Sequence, residues 1–289
     1  MKNVLLAGML MATAGQGQSA EPLRVIAFGA HPDDCDIDGS GTAALFAAMG
    51  HKVKFVSVTN GDAGHQTEAG GFLARRRKAE TEESSRRLGI EYDVLDNHDG
   101  ELLPTLEVRR QIIRKIREWR AEIVISPRPN DYHPDHRYTG VLVQDAAYMV
   151  VVPNVVADTP ALRKNPVFLY FEDRFQKPAP FRPDIAVAID DVFAKKVSAL
   201  DAHVSQFYEW LPWVDGELDQ VPKGAAERKE WLAKRWARNI TPAVRASLEK
   251  WYGAEKAAGV KYYEAFEICE YGKQPGEDEI RRLFPMLKK

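Results

Sequence analysis

The chain alternates between short apolar runs and longer stretches whose apolar positions recur at helical spacing. The runs are LRVIAFGA (23–30), KVKFVSVT (52–59), IEYDVLD (90–96) and EIVISP (122–127). Brief segments rich in Val, Ile and Phe, bounded by turn formers, predict buried strands. Between them lie an alanine-rich stretch from Ser40 to Met49, the charged LARRRKAETEESSRRLG (73–89) closed by Gly89, and LEVRRQIIRKIREWR (106–120). In the last of these Val108, Ile112, Ile113 and Ile116 share one face, and all three stretches predict helices. Strands separated by helices imply βαβ units, hence an α/β fold with a mostly parallel sheet covered on both sides. Right-handed crossovers bring the C-terminal end of every such strand to one edge, where ligands collect.

The second half is less regular. A helix is expected between Asp135 and Val150, strands at VFLYF (167–171) and DIAVAI (184–189), a helix at VFAKKVSALDAH (192–203), and a last strand at YYEAFEICEYG (262–272). Pro212 to Gly253 mixes Trp213, Trp231, Trp236 and Trp251 with many charges, so residues 211–260 read as a helical appendage over the sheet or as part of an interface. Residues 21–289 are otherwise taken as a single domain.

The first twenty residues differ in kind. MKN, an apolar stretch of about twelve residues and a small-residue end read as a secretory signal peptide, too short for the roughly 20 residues of a membrane span. The expectation is an exported protein, periplasmic or extracellular, with no stable membrane span. A formal charge of −2 gives no footprint for nucleic acid, and two cysteines, Cys35 and Cys269, exclude a disulfide scaffold.

Two loops at strand C-terminal ends change the picture. His31-Pro32-Asp33-Asp34 follows the first strand, and PRPNDYHPDH (127–136) follows the fourth, repeating His-Pro-Asp as His133-Pro134-Asp135-His136. The shared edge would bring His31, Asp34 and His136 together across about a hundred residues of chain. Two imidazoles and a carboxylate suit zinc, or another divalent cation that takes mixed nitrogen and oxygen donors, with one position left open for water. Asp33 would then be the spare carboxylate that takes the water's proton, a combination suited to carbonyl hydrolysis. Asp135 would fix an imidazole tautomer from behind. The plainer reading has Asp33 and Asp34 capping turns and Asp135 capping the helix that begins near His136.

Gly39-Ser40-Gly41-Thr42-Ala43-Ala44 also matches a dinucleotide fingerprint, with Asp62 about twenty residues on. The glycines come too far past the strand, and the intervening HPDDCDID would repel a pyrophosphate, so they are read as allowing close packing at a helix start.

AHPDDCDIDGSGTAA resembles the AHPDDE…GG motif of the PIG-L/LmbE-like family of N-acetylglucosaminide deacetylases. TNGDAG (59–64), LARRRKAE with Arg77 and Glu80, HPDH (133–136) and DVFAKKVSALDAHVSQF (191–207) resemble its later landmarks in order. The resemblance implies a Rossmann-like three-layer sandwich and a zinc-dependent hydrolase that removes acetyl from the 2-amino group of a glucosamine-containing sugar or glycoconjugate. It implies His31, Asp34 and His136 as ligands, Asp33 as general base, and His133 as the group that steadies the oxyanion or protonates the amine. Arg77 would face substrate, or else lie on a solvated helix face.

Cys35 departs from the family's glutamate and is read as a half-buried neutral thiol, with zinc ligation the alternative. His203 would enter the site from the closing helix or play a polar role at its end. Asp62 would bind sugar hydroxyls, brace a ligand or form a turn. His65 and His98 would touch the pocket or lie exposed in loops, while His51 falls on the opposite edge. Trp210, Trp213 and Tyr208 would form a sugar-stacking wall or seal the core. Two other readings compete: an exported carbohydrate-binding protein with a non-catalytic metal, and a metal hydrolase acting on another amide or ester.

Overall fold

The computed structural model describes residues 21–288, so residues 1–20, the segment read as a signal peptide, lie outside the described residues. Seven strands run β1 (Arg24–Gly29), β2 (Lys52–Thr59), β3 (Glu91–Asn97), β4 (Ile123–Ser126), β5 (Val167–Phe171), β6 (Ile185–Ala188) and β7 (Tyr263–Gly272). They form one sheet in the order β3-β2-β1-β4-β5-β7-β6. Pairing is parallel from β3 through β5, and β7 runs antiparallel to both β5 and β6.

Alternate side chains of each strand feed opposite faces. Val25, Ala27, Val53 and Phe55 join a core with Ala43, Phe46 and Leu88. Ile26, Phe28, Val56 and Val58 join a second core with Ile112, Ile113, Ile116 and Leu142. The first face is covered by α1 (Asp34–Ala48), α2 (Gly70–Leu88) and α5 (Phe193–Leu200), the second by α3 (Leu106–Trp119) and α4 (Pro134–Met149). The result is the expected three-layer, Rossmann-like sandwich.

Further along come α6 (Leu211–Val214), α7 (Ala225–Arg235), α8 (Pro242–Tyr252), α9 (Ala254–Gly259) and α10 (Glu277–Leu283). Leu232, Leu248 and Trp251 are buried in the first core, so these helices pack directly over the sheet. No helix among the described residues is long and apolar enough to cross a membrane.

One boundary differs in an informative way from the reading of the sequence. Helix α1 starts at Asp34, not Ser40, with Asp34 and Asp36 in its first turn, where carboxylates favour the positive end of the helix dipole. The glycines therefore sit in the middle of the helix rather than at its start. A Cβ on Gly39 would come 3.0 Å from the Phe171 ring, and one on Gly41 would come 2.8 Å from Ile189. Beside them the Glu264 carboxylate of β7 accepts from the amides of Gly41 (2.9 Å) and Thr42 (2.7 Å). Lys196 of α5 donates to Glu264 and to the Ile37 carbonyl, both at 2.6 Å. A buried ion pair thus splices α1 to α5 and the last strand.

The sheet order reverses direction between β1 and β4, so the loops leaving those strands diverge and open a crevice at the C-terminal edge. Close backbone packing fixes the second loop. A Cβ on Gly140 of α4 would meet the Pro127 carbonyl oxygen at 2.8 Å and backbone atoms of Arg128 and Pro129 at 2.9 Å. Gly140→Ala is expected to cost about 1–3 kcal/mol through overpacking. Urea unfolding would read this as a lowered midpoint at unchanged slope, and an unaltered midpoint would show that the loop yields freely.

Candidate metal centre and active-site cleft

The unusual exit from β1 has a geometric basis. A Cβ on Gly29 would fall 2.7 Å from that of Asp34, so only glycine lets the chain double back into α1 this tightly. Asp33 occupies the N-cap position of α1 without using its side chain to cap the helix. Asp34 Oδ2 accepts from the His31 amide at 2.8 Å. On the second loop the helix cap is His133, whose Nδ1 accepts from the Asp135 amide at 3.2 Å.

The two loops meet. His31 Nδ1 lies 3.1 Å from His136 Nε2, Asp34 Oδ2 lies 3.5 Å from His31 Nδ1, and it lies 3.4 Å from His136 Nε2. Tetrahedral zinc with bonds of 2.0–2.1 Å needs donor separations of about 3.3–3.4 Å, so this triangle has the dimensions of one face of a zinc site. Among the described residues, His31, His133 and His136 form one group with ligand spacing, and His31, Asp99, His133 and Asp135 form another. The second group surrounds the far nitrogen of His31. Its Nε2 faces Asp99 Oδ1 at 3.1 Å and Asp135 Oδ2 at 3.3 Å, which fixes a proton there and turns Nδ1 toward the triangle. His136 is oriented likewise, with Nδ1 3.1 Å from Asp131 Oδ1. The buried cluster is capable of holding a divalent metal ion such as zinc.

Charge follows the same geometry. Burial works against the protonated form of His31, but Asp34 and the carboxylates behind it hold its pKa well above the ordinary value. Asp34 is pulled down by His136 and His31 against the cost of its own burial. Asp33 lies outside the triangle. Burial raises its pKa, opposed by Arg77, whose Nη2 donates to Oδ1 at 3.0 Å. His133 is pushed down by burial and by its two histidine neighbours, and its ring stands edge-on to His31 at 4.6 Å. With Nδ1 accepting, the neutral ring carries its proton on Nε2.

Of the remaining candidates, Arg77 and Trp210 line the cleft, and the others lie behind it or away from it. Arg77 is only 2% exposed, which corrects the solvated-face alternative. Its guanidinium holds Asp33, Asp99 and the Gly61 carbonyl at the cleft floor. Asp135 accepts from the amides of Gly100 and Leu102, so it ties two loops together and does not cap its own helix. Asp62 is one step further back, accepting from the Asp99 amide and pairing with exposed His98. His203 is fully buried with Nε2 3.2 Å from Asp36 Oδ2, and it does not line the cleft. Cys35 is fully buried rather than half-buried, with its thiol pushed up by burial. Tyr208 is buried and donates to Asp201, so it seals the core, whereas Trp210 lines the cleft and stacks on Trp213. His65 braces a loop through Glu209, and His51 accepts from the Leu23 amide.

Reading the sequence missed Asp99 and Asp131. Both were within reach of the strand-edge rule, Asp99 in DNHDG after β3 and Asp131 inside the PRPNDYHPDH loop.

His136→Ala is expected to cut zinc stoichiometry measured by elemental analysis, and Asp131→Ala to weaken zinc affinity about 10–100-fold in a competition titration. Full stoichiometry in the first variant would remove His136 from the site.

A family model described as GlcNAc-PI de-N-acetylase (PIG-L) matches residues 26–147. Diacetylchitobiose deacetylase of Thermococcus kodakarensis is 33% identical over 203 residues, covering 66% of this chain and 73% of that protein. A probable N-acetyl-alpha-D-glucosaminyl L-malate deacetylase 2 of Bacillus anthracis is 27% identical over 214 residues, covering 71% of this chain and 89% of its own. The structure of N,N'-diacetylchitobiose deacetylase from Pyrococcus horikoshii, in complex with an inhibitor, aligns with a TM-score of 0.64 at 27% identity, over 86% of this chain and 84% of that one. Sheet order, paired His-Pro-Asp loops and these likenesses agree, and the chain belongs to the PIG-L/LmbE family of deacetylases.

Proposed function

We propose that this protein removes the N-acetyl group from a glucosamine-containing sugar or glycoconjugate by metal-dependent hydrolysis, with His31, Asp34 and His136 holding the cation. The observation that carries the reading is the triangle of donors, 3.1–3.5 Å on each side, with a separate buried carboxylate beside it. A bound divalent cation supplies Lewis acidity, polarising the amide carbonyl and acidifying a water.

The chain's own groups do the rest. Arg77 holds Oδ1 of Asp33, which leaves Oδ2 to accept the proton of the attacking water. Burial raises the basicity of that carboxylate toward the value a neutral-pH base needs. The Nε2 proton of His133 is available to the oxyanion as it develops. An amide nitrogen cannot depart as an anion, and Asp33, now protonated, is the group that delivers a proton to it. Asp99 and Asp135 keep His31 in one tautomer throughout.

A binding protein with a vestigial ion would have no use for the spare base, which disfavours that alternative. The secretory pattern of residues 1–20 supports placing the reaction outside the cytoplasm.

Zinc-loaded protein is expected to release acetate and free amine from at least one member of a panel of N-acetylated amino sugars. Absence of release from all of them would overturn the reading. Asp33→Asn is expected to keep its zinc yet lose at least about a hundredfold in kcat; near-normal turnover of that variant would remove Asp33 from the role of base.

A further inference from the structure

Helix α1 begins without the side-chain cap that many helices use. An aspartate at the N-cap position ordinarily accepts from the exposed amides of the first turn, but Asp33 makes no such bond, and its carboxylate is drawn to Arg77 instead. The turn is closed by its backbone, with the amides of Asp36 and Ile37 donating to the Asp33 carbonyl at 2.9 and 3.0 Å. Asp33 and Asp34 thus stand on a helix end that has to be held in another way.

The side chain of Asp36, in the same first turn, supplies the hold. Ser84 of α2 donates to its Oδ1, and its Oδ2 faces His203 Nε2 at 3.2 Å. All three side chains are wholly buried, and none of them lines the cleft. His203 lies in the connection between α5 and a π-helical turn, Ser205–Trp210. That turn is pinned to α2 in its own right, because Glu80 accepts from the Ser205 amide at 2.9 Å and from its hydroxyl at 2.6 Å. His203 is therefore a fixed post. Through it and Ser84, one carboxylate ties the start of α1 to two neighbouring elements.

Stability alone does not account for this arrangement. Burial works against a charged imidazole at His203, yet Asp36, with Asp33 and Glu80 beyond it, holds the ring's pKa above the ordinary value. Among the described residues neither ring nitrogen has a further hydrogen-bond partner. A buried ion pair is weak evidence for stability, since apolar side chains of similar volume often serve as well or better. Departures of this kind concentrate at functional sites.

We propose that Asp36, braced by His203 and Ser84, is a positioning residue: it anchors α1 in place of the cap that Asp33 does not make, leaving Asp33 free for chemistry and Asp34 fixed in the donor triangle. The claim on Asp33 rests on the deacetylase reading. The claim on Asp34 concerns zinc alone.

The test is run on the full chain, metal-free for zinc competition titrations and zinc-loaded for turnover of diacetylchitobiose. Asp36→Asn keeps the size of the side chain and removes the charge that faces His203. It is expected to weaken zinc about tenfold and to cut kcat at least about tenfold, with KM within about threefold of wild type. His203→Gln should act in the same direction, and the double variant should lose no more than the worse single one, because both act through one contact. Leu248→Ala, in the first core and outside the cleft lining, is the stability control. It is expected to lower Tm at least as far as Asp36→Asn does, yet to keep zinc affinity and kcat within about twofold. Should Asp36→Asn fail to fold, Ser84→Ala, which leaves both charges in place, is expected to lower kcat about threefold at nearly constant KM. If wild-type protein releases no acetate, the deacetylase reading fails and the zinc titrations decide the claim on Asp34. Wild-type zinc affinity and kcat in folded Asp36→Asn overturn the proposal. So do losses that multiply in the double variant, or losses in Leu248→Ala that equal those of Asp36→Asn.

Discussion

The architecture of the site depends on how His31 is gripped from two sides. Behind it, Asp99 and Asp135 face Nε2 at 3.1 and 3.3 Å. In front, Nδ1 meets Asp34 and His136. One imidazole therefore joins the loops after β1, β3 and β4, because Asp99 follows β3 and Asp135 lies in the first turn of α4. Its tautomer is the hinge of the chemistry, since a proton on the wrong nitrogen would close the donor triangle. Arg77 extends the same grip to Asp33, whose carboxylate is thereby kept beside the triangle and outside it.

Much of this was readable in the residues alone, for a physical reason. Apolar runs such as RVIAFG and VFLYF have few alternatives to buried strands, and strand–helix alternation leaves a single edge for the His-Pro-Asp loops. What stayed hidden was contact between segments that share no pattern. Arg77 sits in a run of three arginines on a charged helix, and nothing in that run distinguishes the one that turns inward. Asp99 and Asp131 resemble ordinary loop aspartates until the histidines they orient are placed beside them. His203 looked like a site residue because a closing helix carries it, yet it is buried against Asp36, on the helix that also carries Asp34. The start of α1 is masked in the sequence because DCDIDGSG contains poor helix formers; favourable charge at the helix end and the close packing that Gly39 and Gly41 permit outweigh that propensity.

The later part of the chain divides into two kinds of contribution. Leu232, Leu248 and Trp251 serve the core, while the π-helical turn and α6 face the cleft. The tryptophans that the sequence scatters through this region thus have unlike duties: Trp251 is wholly buried, and Trp213 is half exposed.

The splice at the middle of α1 bears on the order of assembly. Glu264 accepts hydrogen bonds from the amides of Gly41 and Thr42, and Lys196 donates to the Ile37 carbonyl, so the helix that bears Asp34 is braced by a side chain more than two hundred positions downstream. In a polypeptide emerging from the ribosome N-terminus first, the HPDD segment precedes its bracing carboxylate by more than two hundred residues. The middle of α1 is therefore braced from β7 only once that strand has joined the sheet.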